Sequence, residues 1–401
     1  MVIVLGVLML GCLLAALAPT IGVLIVARIL QGAGGAVFPL SFGIIRDEFP
    51  AARVPGAVGA MSGVIAAGSG LGVVLAGPVV DLLGSAWLFW IPLIAVALTA
   101  AAAYLFIPES PARTPGRMNW LAAFLLSGWL VAVLLPISKA PVWGWSSRPV
   151  IGLLILGAAL LAAWAVTEVR SAAPLIDMRM MRLPGVWTTN LSALLFGAAL
   201  FAVFALLPQF VQIPAKAGYG FGTSVSEAGL LVLPMLLAMF VAGLVSGRVE
   251  HRFSAKAQLA VGAAFSAVAC AMLAVDHDTR WQIVVEAGIL GLGVGLAYSS
   301  MTNLIVRNVA VDQTGAAAGM NANMRTIGGA IGAAVMSTIV TSHLQANGLP
   351  REAGFTHGFV VLAFVSVAAV AAALLVPRAR PAEPRPEAAA PVRSTVGAAA
   401  D

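Results

Sequence analysis

The sequence predicts an all-α integral membrane protein, and three features of its 401 residues lead to this fold class. Hydrophobic residues make up 61% of the chain and charged residues only 9%, against about 25% charged in a typical soluble domain. The mean hydropathy is +1.00. Long apolar runs recur along nearly the whole chain. A water-soluble fold would need far more polar surface, so most apolar side chains must face lipid or one another.

Twelve apolar runs are long enough to cross a bilayer as helices. A hydrocarbon core of about 30 Å takes roughly 20 helical residues, and we count runs of about 17 or more that end at proline, glycine or charge clusters. The predicted spans are 2–18, 21–45, 56–80, 86–107, 119–137, 149–169, 186–211, 226–247, 257–275, 282–305, 314–340 and 356–377. The first has no basic region before it and is followed by another span, so we expect a membrane helix there and not a signal peptide.

Lysine and arginine are unevenly divided between the loops, and this predicts the orientation. With the chain starting in the cytoplasm, the inner loops and the tail hold fifteen of the 22 basic residues and the outer loops hold five. Membrane proteins carry the excess of positive charge on the cytoplasmic side. We therefore expect both termini in the cytoplasm. The net charge of +6 then reports topology and gives no indication of a nucleic-acid surface.

No motif for catalysis or for a cofactor is recognisable. Two cysteines, Cys12 and Cys270, and four scattered histidines do not form a disulfide framework or a metal-ligand pattern. A glycine-rich phosphate loop, which an ATP-driven pump would need on this chain, does not occur in the sequence. We expect no enzyme activity, no metal and no cofactor, and transport would draw its energy from an ion gradient.

The second span carries an arginine inside an apolar helix, followed by a glycine-rich stretch. A charged side chain at membrane depth is costly unless it faces a cavity or a partner, so this arginine is a site candidate. Arg28, Gln31, Gly32, Gly34 and Ala36 fall on the positions of RxxQGxGxA. The stretch resembles the fourth-helix motif of major facilitator superfamily antiporters. A purely structural hydrogen bond from the arginine to backbone carbonyls is the alternative.

The third span is dense in small residues, which permit close helix contacts and local bending. It resembles the fifth-helix motif of the same antiporters, which implies a gating role for Gly72, Gly77, Pro78 and Asp81. Val73 stands where that motif has the proline of a Gly-Pro pair, so Pro78 is expected to shift the bend. A generic packing face of small residues is the alternative.

Later segments resemble the fourteen-span drug and proton antiporters, often called QacA-like, so the resemblance covers essentially the whole chain. The matching segments are 174–177 before the seventh span, 226–231 at the start of the eighth, and 321–329 in the eleventh. In that family two six-helix bundles flank an inserted helix pair. The resemblance implies the major facilitator superfamily fold and a location in the cell membrane.

The same resemblance divides the chain into four parts. These are a partial N-terminal bundle of four spans (1–107), a linker with the inserted helix pair (108–185), a C-terminal six-helix bundle (186–377) and a disordered cytoplasmic tail (378–401). Only four spans precede the inserted pair, so the comparison predicts that the first two helices of the family are lacking.

Few ionisable residues lie within the spans. Glu286 lies about 6 Å from the outer end of the tenth span, and a carboxyl group at membrane depth can load and release a proton. An interfacial glutamate paired with Arg280 is the alternative. Arg325 lies roughly 16 Å into the eleventh span and needs a partner or a cavity. Arg28, Gln31, Glu286 and Arg325 are our candidates for transport and proton coupling.

Aromatic and amide side chains in the second half are candidates for a substrate cavity. We select Phe201, Tyr298, Asn321 and Asn323, because greasy pockets with a few polar groups accept varied small molecules. For the aromatic side chains, packing towards lipid is the alternative.

The sequence therefore predicts a secondary transporter, a proton-coupled exporter of lipophilic or cationic drugs or other small molecules. Its partners would be the substrate, protons and the lipid bilayer. The alternative is a non-transporting fragment or degenerate paralogue that acts as a membrane interaction protein. An importer of nutrients fits less well, because the motifs of the second and third spans resemble those of antiporters.

Overall fold

A computed structural model describes residues 1–50, 53–106, 119–171, 174, 176–250, 252–310, 313–342, 344–345 and 348–377. The helices are α1 (Val2–Ala16), α2 (Ile21–Gly32), α3 (Val37–Glu48), α4 (Val54–Leu83), α5 (Trp87–Phe106), α6 (Trp120–Trp143), α7 (Arg148–Arg170), α8 (Met178–Met181), α9 (Pro184–Gln212), α10 (Val225–Val249), α11 (Ala255–Val275), α12 (Arg280–Asn308), α13 (Thr314–Thr341) and α14 (Glu352–Leu375). Short 3-10 turns occupy Ala33–Ala36 and Ala215–Ala217.

The all-α fold class is confirmed, and every predicted span coincides with a helix or, in the second, with the pair α2 and α3. Within the described residues, ten helical segments are long and apolar enough to cross a membrane, and α1 is a shorter apolar helix. The first part of the predicted segment 108–185, at 108–118, and the tail at 378–401 lie outside the described residues. The division into four parts stays a prediction.

Three helical segments differ in form or in length from the predicted spans. The second span is interrupted by the 3-10 turn Ala33–Ala36, because its two glycines weaken the regular helix. Helix α4 continues through Pro78 to its end without a break. Helix α6 runs past the predicted end at 137 to Trp143 and contains Pro136 and Pro141.

Local sequence signals mark several helix ends. Ser224 forms a capping box with Glu227 at the start of α10, and Thr279 forms one with Gln282 at the start of α12. Gly84 follows α4 at φ 90°, a backbone conformation that a residue with a side chain rarely adopts. These signals place the starts of α10 and α12 and the end of α4 near the membrane surfaces predicted from the apolar runs.

Helices α9 to α14 form one packed half of the molecule. Helix α13 packs against α9, α12 packs against both α10 and α11, and α11 packs against α14. Glycines allow these backbones to approach closely. A methyl group added to Gly328 would overlap the carbonyl of Leu194, and one added to Gly291 would overlap the carbonyl of Met235. Small residues at helix contacts are the usual means of association in lipid.

The other helices contact this half mainly through α4 and α6. Helix α1 packs against α2 and α5, whereas α4 packs mainly along α10 and also contacts α12. Helices α6 and α7 pack on each other, and α6 contacts α13. The indole Nε1 of Trp145 donates a hydrogen bond of 3.0 Å to Thr338 Oγ1 on α13. The α6–α7 pair therefore lies on the outside of the α9–α14 half.

The contact between α9 and α13 is testable with one methyl group. We expect Gly328→Ala to lower the free energy of unfolding by about 1–3 kcal/mol, because the new methyl overlaps the Leu194 carbonyl. Gly319→Ala on the same helix is the matched control, since its added methyl has no neighbour within 4 Å. Thermal unfolding in detergent measures both variants, and equal midpoints would contradict the close packing of α9 and α13.

Candidate functional site

A cavity of about 500 Å³ lies where α2, α3 and α4 face α9, α12 and α13. Its walls come from the α9–α14 half and from α2, α3 and α4, which we group with α1 and α5 as the second half. The lining residues are Gly32, Gly35, Ala36, Phe38, Pro39, Phe42, Ile65, Phe201, Tyr298, Thr302, Gly319, Ala322, Asn323, Arg325 and Thr326. The lining is mostly apolar with a few convergent polar groups, which is the usual composition of a small-molecule site.

Arg325 is held by a polar cluster on the wall formed by α9, α12 and α13. Its Nη1 donates to Asn321 Oδ1, one helical turn earlier on α13. The Nδ2 of Asn321 in turn donates to Asn190 Oδ1 on α9 at 2.9 Å. The guanidinium carbon lies 4.6 Å from the ring centre of Tyr298, and that ring makes an edge contact with Phe196. Hydrogen bonds and a cation–π contact together fix the charge at the cavity wall.

The structure brings most of the predicted cavity residues together. Phe201, Tyr298, Asn323 and Arg325 all line the cavity. Asn321 is 2% exposed and contacts Arg325 from behind, so it supports the wall without lining it. Composition and spacing gave no reason to select Asn190, because its partner lies 131 residues away in the sequence.

Arg28 and Gln31 lie apart from this cavity. Arg28 is exposed on α2, where its Nη1 donates to Gln31 Oε1 at 3.1 Å and its guanidinium lies 5.0 Å from the ring centre of Phe89. Gln31 continues the chain of contacts to the sulfur of Cys12 at 3.6 Å. The glycines that follow in the same motif, Gly32 and Gly35, do line the cavity.

Glu286 lies inside the α9–α14 half, on α12. Its side chain is 0% exposed, and neither carboxyl oxygen has a hydrogen-bond partner within the described part of the chain. It is twelve residues before Tyr298 on the same helix, about 18 Å away by helical rise. A buried carboxyl group without a partner is costly when ionised, so it is either neutral or a source of instability.

The C-terminal end of α4, predicted to face outwards, is attached to α10. Ser226 Oγ donates to Asp81 Oδ2 at 3.1 Å. A methyl group on Gly77 would lie 3.0 Å from the same Ser226 Oγ, so the glycine is needed for the close approach. Gly72 has no such neighbour within 4 Å, and Pro78 lies within the continuous helix. Of the four predicted gating residues, Gly77 and Asp81 therefore make the contact with the other half.

Arg46 joins the two halves at the opposite end, on the side predicted to face the cytoplasm. Its Nη1 donates to the carbonyl of Val306 at 2.6 Å and to Thr314 Oγ1, and its Nη2 donates to the carbonyl of Val309 at 3.1 Å. These carbonyls belong to the last turn of α12 and the residue after it. Such carbonyls have no partner within the helix and carry the negative end of its dipole, so a guanidinium binds them well.

An ion pair lies on the same side of the molecule. Arg307 Nη2 is 2.9 Å from Glu250 Oε1, and Asn303 Nδ2 donates to Glu250 Oε2 at 3.1 Å. These contacts tie the end of α10 to the end of α12. Where the structure describes the chain, no group of three or more histidine, cysteine, aspartate or glutamate side chains is placed to hold a metal ion.

Glu286 gives a direct stability test. We expect Glu286→Gln to raise the free energy of unfolding by about 1–3 kcal/mol, because it removes an ionisable group that is buried without a partner. Glu227→Gln is the matched control, since this exposed residue keeps a capping side chain at the start of α10. The measurement is thermal unfolding of the two purified variants. A glutamine variant that is less stable than the original chain would show that the carboxyl group is satisfied.

The chain matches one known protein family along most of its length. The sequence profile described as Major Facilitator Superfamily matches residues 1–333 and 189–399. Among characterised relatives, the methylenomycin A resistance protein of Streptomyces coelicolor is 31% identical over 347 residues, which are 84% of this chain and 70% of the relative. The cephamycin export protein CmcT of Amycolatopsis lactamdurans is 31% identical, over 93% of this chain and 76% of the relative.

Other relatives are longer than the part that matches. The tetracenomycin C resistance and export protein of Streptomyces glaucescens is 28% identical, over 82% of this chain and 61% of the relative. Among solved structures, the human organic anion transporter MFSD10 superposes with a TM-score of 0.65 at 14% identity, covering 93% of this chain and 76% of that one. At that identity the likeness shows the fold alone.

Proposed function

The chain belongs to the Major Facilitator Superfamily, and we propose that it is a proton-coupled exporter of lipophilic small molecules. It is a multi-pass membrane transporter and not an enzyme. Several relatives are described as drug resistance or export proteins, and this supports the direction of transport. The chain spans 70% of the methylenomycin A resistance protein and 61% of the tetracenomycin C resistance and export protein, so its activity as an exporter is our proposal.

The observation that carries this proposal is the cavity between the two halves, with a separate contact between the halves at each end. The cavity takes its walls from both halves. Asp81 and Ser226 join the halves at the outer end, and Arg46 joins them at the inner end. Transporters of this type expose one central site alternately to the two sides by rocking their halves. We propose that these two contacts are broken in turn during that motion.

Proton coupling is assigned to the few ionisable groups within the spans. Glu286 is our main candidate, because it is fully buried and can change its charge by taking up a proton. Arg28 and Gln31 form a second candidate group, linked to each other at 3.1 Å. Arg325 would instead bind the substrate, since it is the candidate that lines the cavity.

We further propose that the chain is of the fourteen-span drug and proton antiporter type, in the cell membrane with both termini in the cytoplasm. The position of α6 and α7 supports this type, because they pack on each other and lie beside α13 on the outside of the α9–α14 half. The excess of basic residues in the predicted inner loops supports the orientation.

The export proposal is tested with a fluorescent lipophilic dye in cells that produce the chain. We expect lower dye accumulation than in control cells, and we expect a protonophore to abolish the difference. Glu286→Gln should lose most of the export, because the glutamine cannot carry a proton. Glu227→Gln, with its exposed side chain, should export normally.

Two results of this experiment would count against the proposal in different ways. Export that persists after collapse of the proton gradient would exclude proton coupling. No export by the full chain, at normal expression and in a folded state, would favour the alternative of a non-transporting membrane interaction protein.

The inner contact is tested by access to the cavity. We expect Arg46→Ala to increase labelling of a cysteine at Asn323 by a membrane-impermeant thiol reagent applied from the cytoplasmic side, because the variant loses the hydrogen bonds from Arg46 to Val306, Val309 and Thr314. The background is the chain with Cys12 and Cys270 replaced. Arg53→Ala is the control, because it removes an arginine at the same end of the molecule, directly before α4. Equal labelling in the two variants would show that Arg46 does not hold this end closed.

A further inference from the structure

We propose that the cavity prefers substrates that carry a carboxylate, and that Arg325 binds this group. The inference rests on the proposed export function and adds the chemical class of its substrate. It departs from the sequence-based expectation, which included cationic drugs.

The described wall of the cavity carries one charged side chain, and that charge is positive. Among its described lining residues, Arg325 is the only one with a charged side chain. The stretch 54–80 of α4, which passes the cavity, contains no aspartate, glutamate, lysine or arginine. Glu286 is about 18 Å away along α12 by helical rise. The cavity wall therefore has a net positive charge, which repels a cationic substrate and attracts an anionic one.

The second step is the state of the guanidinium. No carboxylate lies within ion-pair distance of Arg325 among the residues that the structure describes. One nitrogen, Nη1, binds the amide oxygen of Asn321, and the Tyr298 ring covers one face of the group. Of the five N–H donors of an arginine, those on Nη2 and Nε have no hydrogen-bond partner within the described residues. Paired donors in this planar arrangement match the two oxygens of a carboxylate.

The third step is the support of the arginine from behind. Asn321 is itself held by Asn190, so the guanidinium is fixed before any ligand arrives. A side chain that is already oriented loses less conformational freedom on binding. A side chain that is held in one orientation before binding is typical of a group that recognises a ligand.

The fourth step is the rest of the cavity. Phe38, Phe42, Phe201 and Ile65 provide apolar walls, and the volume of about 500 Å³ fits a drug-sized molecule. The expected ligand therefore has a carboxylate head and an apolar body. A small hydrophilic acid would leave these walls without contacts.

The proposal is tested by binding, which does not depend on transport. The probes are pyrenebutyric acid, its methyl ester and pyrenebutyl-trimethylammonium, which share one apolar body and differ in charge. Fluorescence titration of the purified full chain in nanodiscs gives the affinity of each. We expect the acid to bind roughly tenfold or more tightly than the ester, and the cation to bind least.

Variants of the arginine assign the preference to one side chain. Arg325→Gln should reduce the affinity for the acid to that for the ester and leave the ester within about twofold. Arg325→Lys should retain part of the preference, because it keeps the charge without the paired donors. Arg148→Gln, at the start of α7 and away from the cavity, should bind all three probes as the original chain does.

Each result has a distinct meaning. A cation that binds as tightly as the acid, or a preference for the acid that persists in both the glutamine and the lysine variants, would overturn the carboxylate proposal. If Arg325→Gln does not fold, Tyr298→Leu replaces it, since loss of the ring that covers the guanidinium should also weaken the acid selectively. Failure of dye export in cells would overturn the export proposal and leave the order of these affinities unchanged.

Discussion

Hydrocarbon offers no hydrogen bonds, and this constraint acts on every polar group that lies at membrane depth. Backbone groups are satisfied within helices, so the described part of the chain is almost entirely helical. Several polar side chains lie near helix ends, such as Asp81 and Arg46, and Arg325 lies at the cavity wall. Of the ionisable groups inside the predicted spans, Arg325 lies at the candidate site, whereas Arg28 and Glu286 lie apart from it.

Helix α13 shows how packing and function share one element. One face carries Gly328 and Gly332, whose lack of a side chain lets α9 approach to backbone contact. Another face carries Arg325 and Asn323 into the cavity. Because the glycines fix α13 against α9, Asn190 on α9 is brought within 2.9 Å of Asn321. The close packing therefore sets the position of the arginine, and the two roles cannot vary independently.

The fold was largely predictable from the sequence, whereas the site was predictable only in part. Apolar runs mark the spans because each residue in them responds to the same bilayer thickness. Arg325 was found because a charge inside an apolar run stands out. Arg46 was counted only as an inner-loop charge, since its main partners are backbone carbonyls that any sequence provides. Arg28 belongs to a recognisable motif, yet its side chain lies over Phe89 and away from the cavity. Sequence patterns identify the charged groups but not the groups that meet them.

The two contacts between the halves differ in chemistry, and this difference bears on the transport cycle. At the end predicted to face outwards, a hydroxyl donates to the carboxylate of Asp81, while at the end predicted to face the cytoplasm the guanidinium of Arg46 donates to Val306, Thr314 and Val309. Hydrogen bonds that involve a charged group contribute about 1.5–3 kcal/mol each. By these hydrogen bonds alone, the contact at Arg46 is the stronger of the two, and binding of substrate or proton can offset the difference. A ligand shifts such an equilibrium only by binding one state more tightly than the other.

Arg325 lies on α13, the helix that begins at Thr314, where Arg46 is bound. In the proposed cycle, a ligand held by Arg325 would act on the same helix whose start Arg46 contacts, which gives a physical route from the cavity to that contact.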